Sequence, residues 1–597
     1  MDIKRLFDFP HYQLEKYNLE KALVTKYNGQ WKAISSQEYI DQANRMSRGL
    51  LKLGVQPNEK VAVISSTNRT EWNIMDIGIM QTGAQNVPIY PTISEEEYEY
   101  VLNHSGATYC FISDDEVLEK VLKIKENVPA LKEVYSFEKI DDCKHWNEVL
   151  SMGDNIADQE EVERRKDAIT EDDIATLIYT SGTTGKPKGV LLSHKNIVSN
   201  AINSESRFPI RKGKDRALSF LPLCHVYERM LIYLYQYTGV TIYYAESIDT
   251  ISENLKEVQP HVMTAVPRLL EKVYDKIIAK GAELSGVKKK LFYWAVELGN
   301  EYEPYGKNGW WYEQKLGIAR KLIFSKWQEA LGGNLNVIAS GSAALQPRLA
   351  RIYNAAGIGV MEGYGLSETS PVIAVNDMRN NGFKIGTVGR PIPETDVKIA
   401  EDGEIMIKGP QVMVGYFKEQ DKTDEVIENG YFHTGDIGEL DTEGFLTITD
   451  RKKEMFKTSG GKYVSPQLLE NALKQSRFIE HIMVVGEGEK MPAAIIQPSF
   501  DFVSDWARRK KIDIGNSPED LVKNEEVNKR IQQEVDTYNE KFGKWERVKR
   551  FELTPDEWSI DEGHLTPTMK LKRRAVKEKY IELYNKIYEH PSAGKSK

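Results

Sequence analysis

Residues 179–189 read Tyr-Thr-Ser-Gly-Thr-Thr-Gly-Lys-Pro-Lys-Gly, and they follow Ala175–Tyr179, which has the apolar pattern of a buried strand. Glycines let backbone N–H groups approach phosphate oxygens, hydroxyls donate hydrogen bonds and lysines supply charge, so the stretch suits a polyphosphate loop. It is not a Walker A loop, because Gly182 and Gly185 are too close together and no Ser or Thr follows Lys186. Composition alone leaves a phosphate loop and a Ser/Gly-rich surface loop equally open.

The rest of the chain predicts two domains. Short apolar runs alternate with amphipathic segments up to about residue 450, as in a layered α/β domain, with strands at Val61–Ile64 and Asn336–Ala339. Asp450–Lys453 then interrupts the pattern, and Ser465-Pro466 indicates the start of a helix. We predict an α/β fold with a large layered N-terminal α/β domain over residues 1–451 and a small C-terminal α+β domain over residues 452–597.

Composition limits the class of protein. Of the 597 residues 40% are hydrophobic and 28% charged, which predicts a globular chain, and the formal charge of −9 argues against a nucleic-acid binder. Three cysteines without paired spacing indicate a reducing compartment. Met1–Asp8 lacks the apolar stretch of a secretory signal, and Met230–Tyr244 is too short to cross a bilayer. A cytoplasmic location is expected; peripheral contact with the inner face of the membrane and a homodimer stay open.

Residues 281–333 form an aromatic-rich segment with helical character. Its aromatic side chains are Phe292, Trp294, Trp310, Trp311, Tyr312 and Trp327. Core packing is the expected role for most of them, because aromatic side chains bury large apolar areas.

Four stretches occur in the order found in the adenylate-forming superfamily, which includes acyl-CoA synthetases, luciferases and the adenylation domains of nonribosomal peptide synthetases. The loop at residues 179–189 resembles its phosphate signature, and Gly363–Thr369 resembles its second nucleotide motif. Tyr431–Asp436 resembles the ribose motif, and Asp450–Lys453 with Ser459–Lys462 resembles the hinge and the loop after it. One such match is weak, but four in order identify the chain as a member and imply a C-terminal domain that is mobile.

The resemblance implies ATP, Mg²⁺ and coenzyme A as cofactor and co-substrates. ATP or AMP contacts are implied for Thr180, Ser181, Gly182, Thr183, Thr184, Gly185, Lys186, Gly341, Ser342, Ala343, Glu362, Gly363, Tyr364, Gly365, Ser367, Asp436 and Arg451. Within that set Tyr364 would stack on adenine and Asp436 would accept the ribose hydroxyls. Glu368 would hold Mg²⁺ together with Thr180, in keeping with the preference of this metal for carboxylate and phosphate oxygens.

The catalytic lysine of the superfamily corresponds to Lys570, although Met569 stands where the family has glycine, and Lys572 remains an alternative. An ammonium group between the carboxylate of the acid and the α-phosphate would draw two anions together. Lys453 corresponds to the hinge residue, and Gly460 and Gly461 would border the coenzyme A channel. The implied catalytic set is Lys570, Glu368, Thr180 and His225.

The acid itself is implied by a further motif. Leu221–Met230 resembles the acyl end of the site, with His225, Val226 and Tyr227 as acyl-binding residues. Together with Val266–Tyr274 and the aromatic segment it is similar to the long-chain fatty acid group.

We therefore expect an AMP-forming ligase that joins a long-chain fatty acid to coenzyme A. A ligase for another hydrophobic acid (medium-chain, branched or aryl) is the alternative. An amino-acid-activating module and a luciferase-like oxygenase are rivals of the same fold. From another class, a non-catalytic nucleotide- or lipid-binding homologue is disfavoured by Lys186, Glu368, Asp436 and Lys570, which are all present.

Overall fold

The computed structural model describes residues 1–180, 186–379, 381–560, 562–566 and 569–589. Over these residues the strands are β1 (Leu23–Tyr27), β2 (Gln30–Ile34), β3 (Lys60–Ile64), β4 (Gln85–Ile89), β5 (Tyr109–Ile112), β6 (Glu133–Ser136), β7 (Lys144–His145), β8 (Ile174–Thr180), β9 (Lys188–Ser193), β10 (Arg216–Ser219), β11 (Thr241–Tyr244), β12 (Val262–Ala265), β13 (Val337–Ser340), β14 (Gly359–Gly365), β15 (Val372–Val375), β16 (Arg390–Pro391), β17 (Asp396–Ile399), β18 (Glu404–Lys408), β19 (Gly415–Tyr416), β20 (Ile427–Glu428), β21 (Tyr431–Leu440), β22 (Leu446–Arg451), β23 (Phe456–Lys457), β24 (Tyr463–Val464), β25 (Ile479–Val485), β26 (Ala493–Pro498) and β27 (Arg550–Leu553).

The α-helices of the same residues are α1 (Asp8–Tyr17), α2 (Ser36–Lys52), α3 (Thr70–Gln81), α4 (Glu95–Ser105), α5 (Asp115–Ile124), α6 (Asn147–Met152), α7 (Gln159–Ala168), α8 (His194–Glu205), α9 (Val226–Thr238), α10 (Ile251–Val258), α11 (Pro267–Glu283), α12 (Gly286–Asn300), α13 (Trp310–Ala319), α14 (Ser325–Ala330), α15 (Pro347–Ala355), α16 (Gln420–Val426), α17 (Pro466–Leu473), α18 (Phe500–Lys510), α19 (Pro518–Lys523), α20 (Glu525–Asn539), α21 (Arg573–Lys579) and α22 (Ile581–Tyr588). A π-helical turn, Arg320–Phe324, joins α13 to α14, and one of the short 3₁₀ turns is Ser367–Thr369.

Two large, mostly parallel sheets carry the N-terminal part of the chain. One has the strand order β19-β9-β8-β4-β3-β5-β6-β7, and the other has the order β16-β15-β14-β13-β12-β10-β11-β1-β2. The predicted strands Val61–Ile64, Ala175–Tyr179 and Asn336–Ala339 fall in β3, β8 and β13. The predicted α/β class is therefore confirmed.

Helices lie between the two sheets and on their outer faces. Alternate side chains of β3 show the layering: Val61 and Val63 belong to the core shared with α2, α3 and α9, whereas Ala62 and Ile64 belong to an outer core with α4 and α5. This period of two is what a strand with both faces buried requires. A further core packs α10–α15 on the outer face of the second sheet.

A buried ion pair fixes α9 between the sheets. Arg229 Nη2 lies 2.6 Å from Asp76 Oδ1, and Arg229 Nη1 donates to Thr176 Oγ1 in β8 at 2.7 Å. Asp76 also accepts from the Asn86 side chain at 2.7 Å and from the Tyr233 hydroxyl. Buried charges persist only when they are paired and hydrogen-bonded, so this cluster sets the position of α9 against β8, the strand before the predicted phosphate loop.

The helical segment is also confirmed. Phe292, Tyr312 and Trp327 are buried there, as expected for core residues, but Trp310 and Trp311 are 62% and 73% exposed. Within the part of the chain that the structure describes, no helix has both the length and the apolar character needed to cross a membrane.

The remaining elements are smaller. A five-stranded sheet contains β17, β18, β20, β21 and β22, and a turn at Asp441–Gly444 joins β21 to β22. Beyond it, β25, β26 and β27 form a three-stranded sheet that packs against α17–α22 around separate cores. The predicted helix start at Ser465-Pro466 is confirmed by α17, although the Ser465 side chain makes no capping hydrogen bond. The domain boundary at 451/452 stays a prediction.

Candidate active site

Asp436 brings two sheets together at the centre of the candidate site. It lies in β21 opposite Arg451 in β22, and Arg451 Nε is 3.2 Å from Asp436 Oδ1. The hydroxyl of Tyr364, from β14, donates to Asp436 Oδ2 at 2.6 Å. Burial raises the pKa of Asp436, while Arg451 and the Tyr364 hydroxyl lower it. The carboxylate is thus held in place with lone pairs left to accept further hydroxyl groups.

The ends of β13 and β14 form one wall beside Tyr364. The buried Glu362 accepts the Leu345 N–H at 3.1 Å, which pins the 341–345 loop to β14. Burial raises the pKa of Glu362 to about 8, although the hydrogen bond from the Leu345 N–H acts in the opposite direction and lowers the pKa. At Gly365 a Cβ would lie 1.8 Å from the Pro371 carbonyl oxygen, so only glycine allows the strand to bend here. Gly341, Ser342 and Ala343 follow β13, Gly363 lies within β14, and Ser367 begins the 3₁₀ turn after β14.

The phosphate-loop prediction is only partly covered by the described residues. Thr180 ends β8 and pairs with Lys188 of β9 in an antiparallel hairpin. Ser181, Gly182, Thr183, Thr184 and Gly185 lie outside the described residues. Lys186 is exposed, and its Nζ lies 5.1 Å from the centre of the Tyr100 ring. The phosphate contacts assigned to these residues stay predictions.

Glu368 lies beside this hairpin. It belongs to the 3₁₀ turn Ser367–Thr369, and its Oε1 accepts the Tyr416 hydroxyl at 2.9 Å. Tyr416 pairs with β9 at Val190, and the Lys188 ammonium lies 4.5 Å from the centre of the Tyr416 ring. Tyr416 therefore ties the carboxylate to the β8–β9 hairpin. No motif in the sequence singles out Tyr416.

A second missed group supports the hairpin from its other side. His104 Nδ1 and the Tyr179 hydroxyl are 2.8 Å apart, directly before Thr180. The His104 ring also stacks on Tyr100 with 5.3 Å between ring centres, and Tyr100 is the ring next to Lys186. His104 and Tyr100 both come from α4, which is far from the β8–β9 hairpin in sequence. Only the fold brings these two residues to Tyr179 and Lys186.

His225 stands at the start of α9 and faces the site. Its Nδ1 accepts the Tyr227 N–H at 3.1 Å, which leaves the ring proton of the neutral imidazole on Nε2. Burial, and next the charge of Lys570, lower the pKa of His225 to about 4. A neutral imidazole with a free Nε2–H is a hydrogen-bond donor rather than a cation.

The residues after His225 have different surroundings. Val226 is fully buried, and Tyr227 packs on Gly341, where an added Cβ would be 3.2 Å from its ring. Glu228 is buried and accepts from Ser219 Oγ at 2.5 Å and Thr264 Oγ1 at 2.6 Å. Tyr227 thus joins the predicted acyl motif to the predicted nucleotide loop. Acyl binding by His225, Val226 and Tyr227 stays a prediction.

Lys570 comes from the C-terminal part of the chain and reaches this group. Although the residue is exposed, crowding by the surrounding protein lowers the pKa of its ammonium. The charge of Arg451 lowers this pKa further, whereas Asp436 and Glu368 raise it. Lys570 therefore shares an electrostatic environment with both carboxylates and with His225. Lys572, two residues on, is the N-cap of α21.

Met569 explains how the chain departs from the family pattern at this lysine. Its φ is 60°, in the left-handed region that glycine adopts without cost. A turn supports this conformation, because Thr566 N–H donates to the Lys570 carbonyl at 2.7 Å and Lys570 N–H donates to Thr566 Oγ1 at 3.0 Å. Methionine therefore occupies a glycine conformation directly before Lys570, which supports the alignment on Lys570.

Polar contacts hold the two parts of the chain in this arrangement. Arg477 Nε lies 3.1 Å from Asp275 Oδ1, and Arg268 pairs with Glu480. Gln346 Nε2 donates to the Lys474 carbonyl at 3.4 Å. These contacts lie between α11–α15 on one side and α17–β25 on the other, so they keep Lys570 over the site.

The predicted hinge and channel residues lie on the surface. Lys453 is exposed in the turn that follows β22. Gly460 and Gly461 are exposed in the turn between β23 and β24, and Gly461 N–H donates to the Thr458 carbonyl at 2.8 Å. Their hinge and channel roles stay predictions.

His225 provides a test of the electrostatics of the site. Because burial lowers its pKa to about 4, the imidazole is expected to stay neutral from about pH 5.5 to 8, where an ordinary histidine titrates near 6.5. NMR of the ¹³C-labelled histidines would measure this, with the His225→Asn variant used to assign the resonance. A titration midpoint above about pH 6 would contradict the described surroundings.

Comparisons with known proteins show the family of the chain. The sequence profile described as AMP-binding enzyme matches residues 11–417, and the profile of the AMP-binding enzyme C-terminal domain matches residues 454–592. The chain is 36% identical over 566 residues to the long-chain-fatty-acid–CoA ligase FadD15 of Mycobacterium bovis, covering 94% of this chain and 93% of that one.

Two solved structures show the same fold. One is the anthranilate CoA ligase AuaEII in complex with anthranoyl-AMP, at a TM-score of 0.72 and 19% identity over 96% of this chain and 97% of that one. The other is O-succinylbenzoate coenzyme A synthetase of Bacillus subtilis in complex with ATP and magnesium ion. Its TM-score is 0.67 and its sequence identity is 20%, over 96% of this chain and 99% of that one. By the extent of these matches, the chain belongs to the AMP-binding enzyme family of adenylate-forming fold.

Proposed function

We propose that the chain is an AMP-forming ligase that activates a long-chain fatty acid with ATP and transfers the acyl group to coenzyme A. The observation that carries the proposal is the convergence of Lys570, Asp436, Glu368 and His225 on one cleft, with Lys570 supplied by the C-terminal part of the chain. The names of relatives such as FadD15 supply the class of acid.

In this proposal the nucleotide lies between the two sheets. Asp436, fixed by Arg451 and Tyr364, accepts the ribose hydroxyls. The ring of Tyr364 and the 341–343 segment, which Glu362 holds through Leu345, surround adenine. The phosphates extend toward Thr180 and Lys186 at the β8–β9 hairpin, where lysine charge and loop N–H groups favour a polyanion.

The donor set fits a magnesium ion that arrives with the phosphates. Within the described residues no three His, Cys, Asp or Glu side chains cluster as a complete metal site. The Tyr416 hydroxyl donates a hydrogen bond to Glu368 Oε1, so Glu368 Oε2 stays available as a carboxylate oxygen for the metal. Thr180 at the end of β8 can add a hydroxyl. Mg²⁺ commonly binds through one or two carboxylates together with substrate phosphates. When bound it would supply charge neutralisation on the phosphates.

The first step forms the acyl adenylate. A carboxylate oxygen of the acid attacks the α-phosphorus, the bond from that phosphorus to the bridging oxygen breaks, and pyrophosphate leaves with the electron pair. In the proposal the Lys570 ammonium holds two mutually repelling anions together. The neutral Nε2–H of His225 donates a hydrogen bond to the carboxylate or to the α-phosphate. Because these donors are fixed beforehand, little reorganisation is needed as charge shifts.

The second step forms the thioester. The thiol sulfur attacks the carbonyl carbon, the bond to the phosphate oxygen breaks, AMP leaves and the thiol proton passes to water. Lys570 is not needed for this attack, since AMP is already a good leaving group. A rotation about Lys453 would withdraw Lys570, break the contacts of Arg477 and Arg268, and bring Gly460 and Gly461 to the coenzyme A path.

The reaction and the acid are tested together by pyrophosphate release across acids of increasing chain length, with and without coenzyme A. We expect release with palmitate to exceed release with acetate, benzoate or amino acids by at least about 100-fold in kcat/KM, because each buried methylene adds about 0.8 kcal/mol. Thioester should appear only with coenzyme A. Equal activity with aryl or medium-chain acids would favour the alternative ligase, and absence of release with every acid would favour a binding protein.

Lys570 and Lys572 form a matched pair for the first step. Lys570→Met is expected to lower pyrophosphate release by about 100-fold or more, since it removes a fixed charge from the transition state, while Lys572→Met should stay near wild type. Thioester formation from chemically prepared acyl adenylate should survive in both variants. The reverse order of effects would assign the role to Lys572.

The hinge proposal separates the two half-reactions. Lys453→Pro restricts the backbone at the turn after β22, so adenylation should stay within about threefold of wild type while thioester formation falls by about tenfold or more. Lys453→Ala, which removes the side chain but leaves the backbone free, is the control. Equal losses in both half-reactions, each measured in single turnover, would contradict a hinge at this position.

A further inference from the structure

Helix α13 is apolar on two sides but is covered on only one. Tyr312, Leu316 and Ala319 are buried in the core beside α12 and α15. On the outside, Trp311 and Ile318 are 73% and 53% exposed. Large apolar side chains on a helix are normally covered by other elements, so the outer side of α13 lacks a partner within the described chain.

The exposed apolar residues share one face. Trp311, Ile318 and Leu322 are spaced at i, i+7 and i+11, and the π turn continues α13 through Leu322, which is 51% exposed. Trp310, 62% exposed, adds its ring at the start of the helix, with 4.5 Å between its centre and that of Trp311. We name these four residues the tryptophan face.

Positive charge surrounds the tryptophan face. Lys315 lies at i+4 from Trp311 on the same side of α13, and Lys307 and Lys321 are exposed before and after it. None of the three lysines forms an ion pair with a described residue. Glu313, at i+2 from Trp311, points to another side of the helix. The patch is therefore locally cationic on a chain whose formal charge is −9.

We propose that the tryptophan face docks α13 onto the surface of an anionic lipid bilayer. Tryptophan prefers the boundary between water and hydrocarbon, Ile318 and Leu322 can enter the acyl region, and lysine side chains reach lipid phosphates from the same depth. A second copy of the chain fits less well, because a two-fold contact would place the lysines of both copies against one another. The contact is peripheral, with one helix lying in the interface plane.

The docking surface extends the proposed function, because a long-chain acid partitions into bilayers and would be collected there. It does not depend on catalysis, since lipid binding is measured without turnover. A failure of docking and a failure of the proposed reaction are therefore separate results.

The test is sedimentation of the full chain with vesicles of phosphatidylcholine, with or without phosphatidylglycerol. Wild type should bind the anionic vesicles and lose binding at high salt. Trp311→Ser/Ile318→Ser should bind at least about tenfold more weakly, because apolar area no longer enters the interface. Lys315→Gln/Lys321→Gln should also bind about 30-fold more weakly, at about 1 kcal/mol for each of the two lysines.

A matched control removes two equally exposed apolar side chains elsewhere. Ile156→Ser/Ile248→Ser, at positions that are 78% and 71% exposed, should bind like wild type. Every variant should release pyrophosphate normally with an acid dispersed in solution. The proposal would be overturned if wild type did not bind anionic vesicles. It would also be overturned if the control variant bound as weakly as the tryptophan-face variant. So would light scattering that shows a wild-type dimer which Trp311→Ser/Ile318→Ser converts to a monomer, since the face would then join two copies.

Discussion

The Asp436 carboxylate is the constraint on which the arrangement of the site depends. It is only 4% exposed, so an unpartnered charge there would be strongly disfavoured, and burial does raise its pKa. Partners come from separate parts of the chain: Arg451 from the neighbouring strand, Tyr364 from the second large sheet, and the charge of Lys570 from the C-terminal part. Satisfying one carboxylate therefore aligns the sheets with each other and with the catalytic lysine of the proposed reaction.

From that point, polar contacts continue to both ends of the proposed substrates. Lys570 is influenced by Glu368, and Glu368 is tied through Tyr416 to the hairpin that carries the phosphate loop. In the other direction the charge of Lys570 helps to keep His225 neutral at the start of α9. The buried pair of Arg229 with Asp76 fixes that helix against β8. In the proposed reaction this conformation would serve the first half-reaction, in which carboxylate and α-phosphate must meet.

Apolar periodicity and local motifs were enough to predict the layered α/β class, the strands that flank the predicted phosphate loop and the small α+β unit. Tyr416 and His104 could not, because each acts through a contact that only the folded chain creates. The alignment on Lys570 rather than Lys572 stays a prediction that gains support from the φ of Met569, because this backbone conformation has no sequence signal once glycine is absent. Core packing was expected for most aromatic residues of the helical segment; Trp310 and Trp311 differ because the outer side of α13 faces solvent.

A crystal structure with a stable acyl-adenylate analogue tests the central claim most directly, because that molecule occupies the nucleotide and acyl ends of the site at once. We predict that the ribose hydroxyls lie within hydrogen-bond distance of Asp436, and that Lys570 Nζ and His225 Nε2 contact the group between acyl chain and nucleoside. An analogue bound away from Asp436, or bound in this cleft with Lys570 facing solvent in the described domain arrangement, would contradict the account.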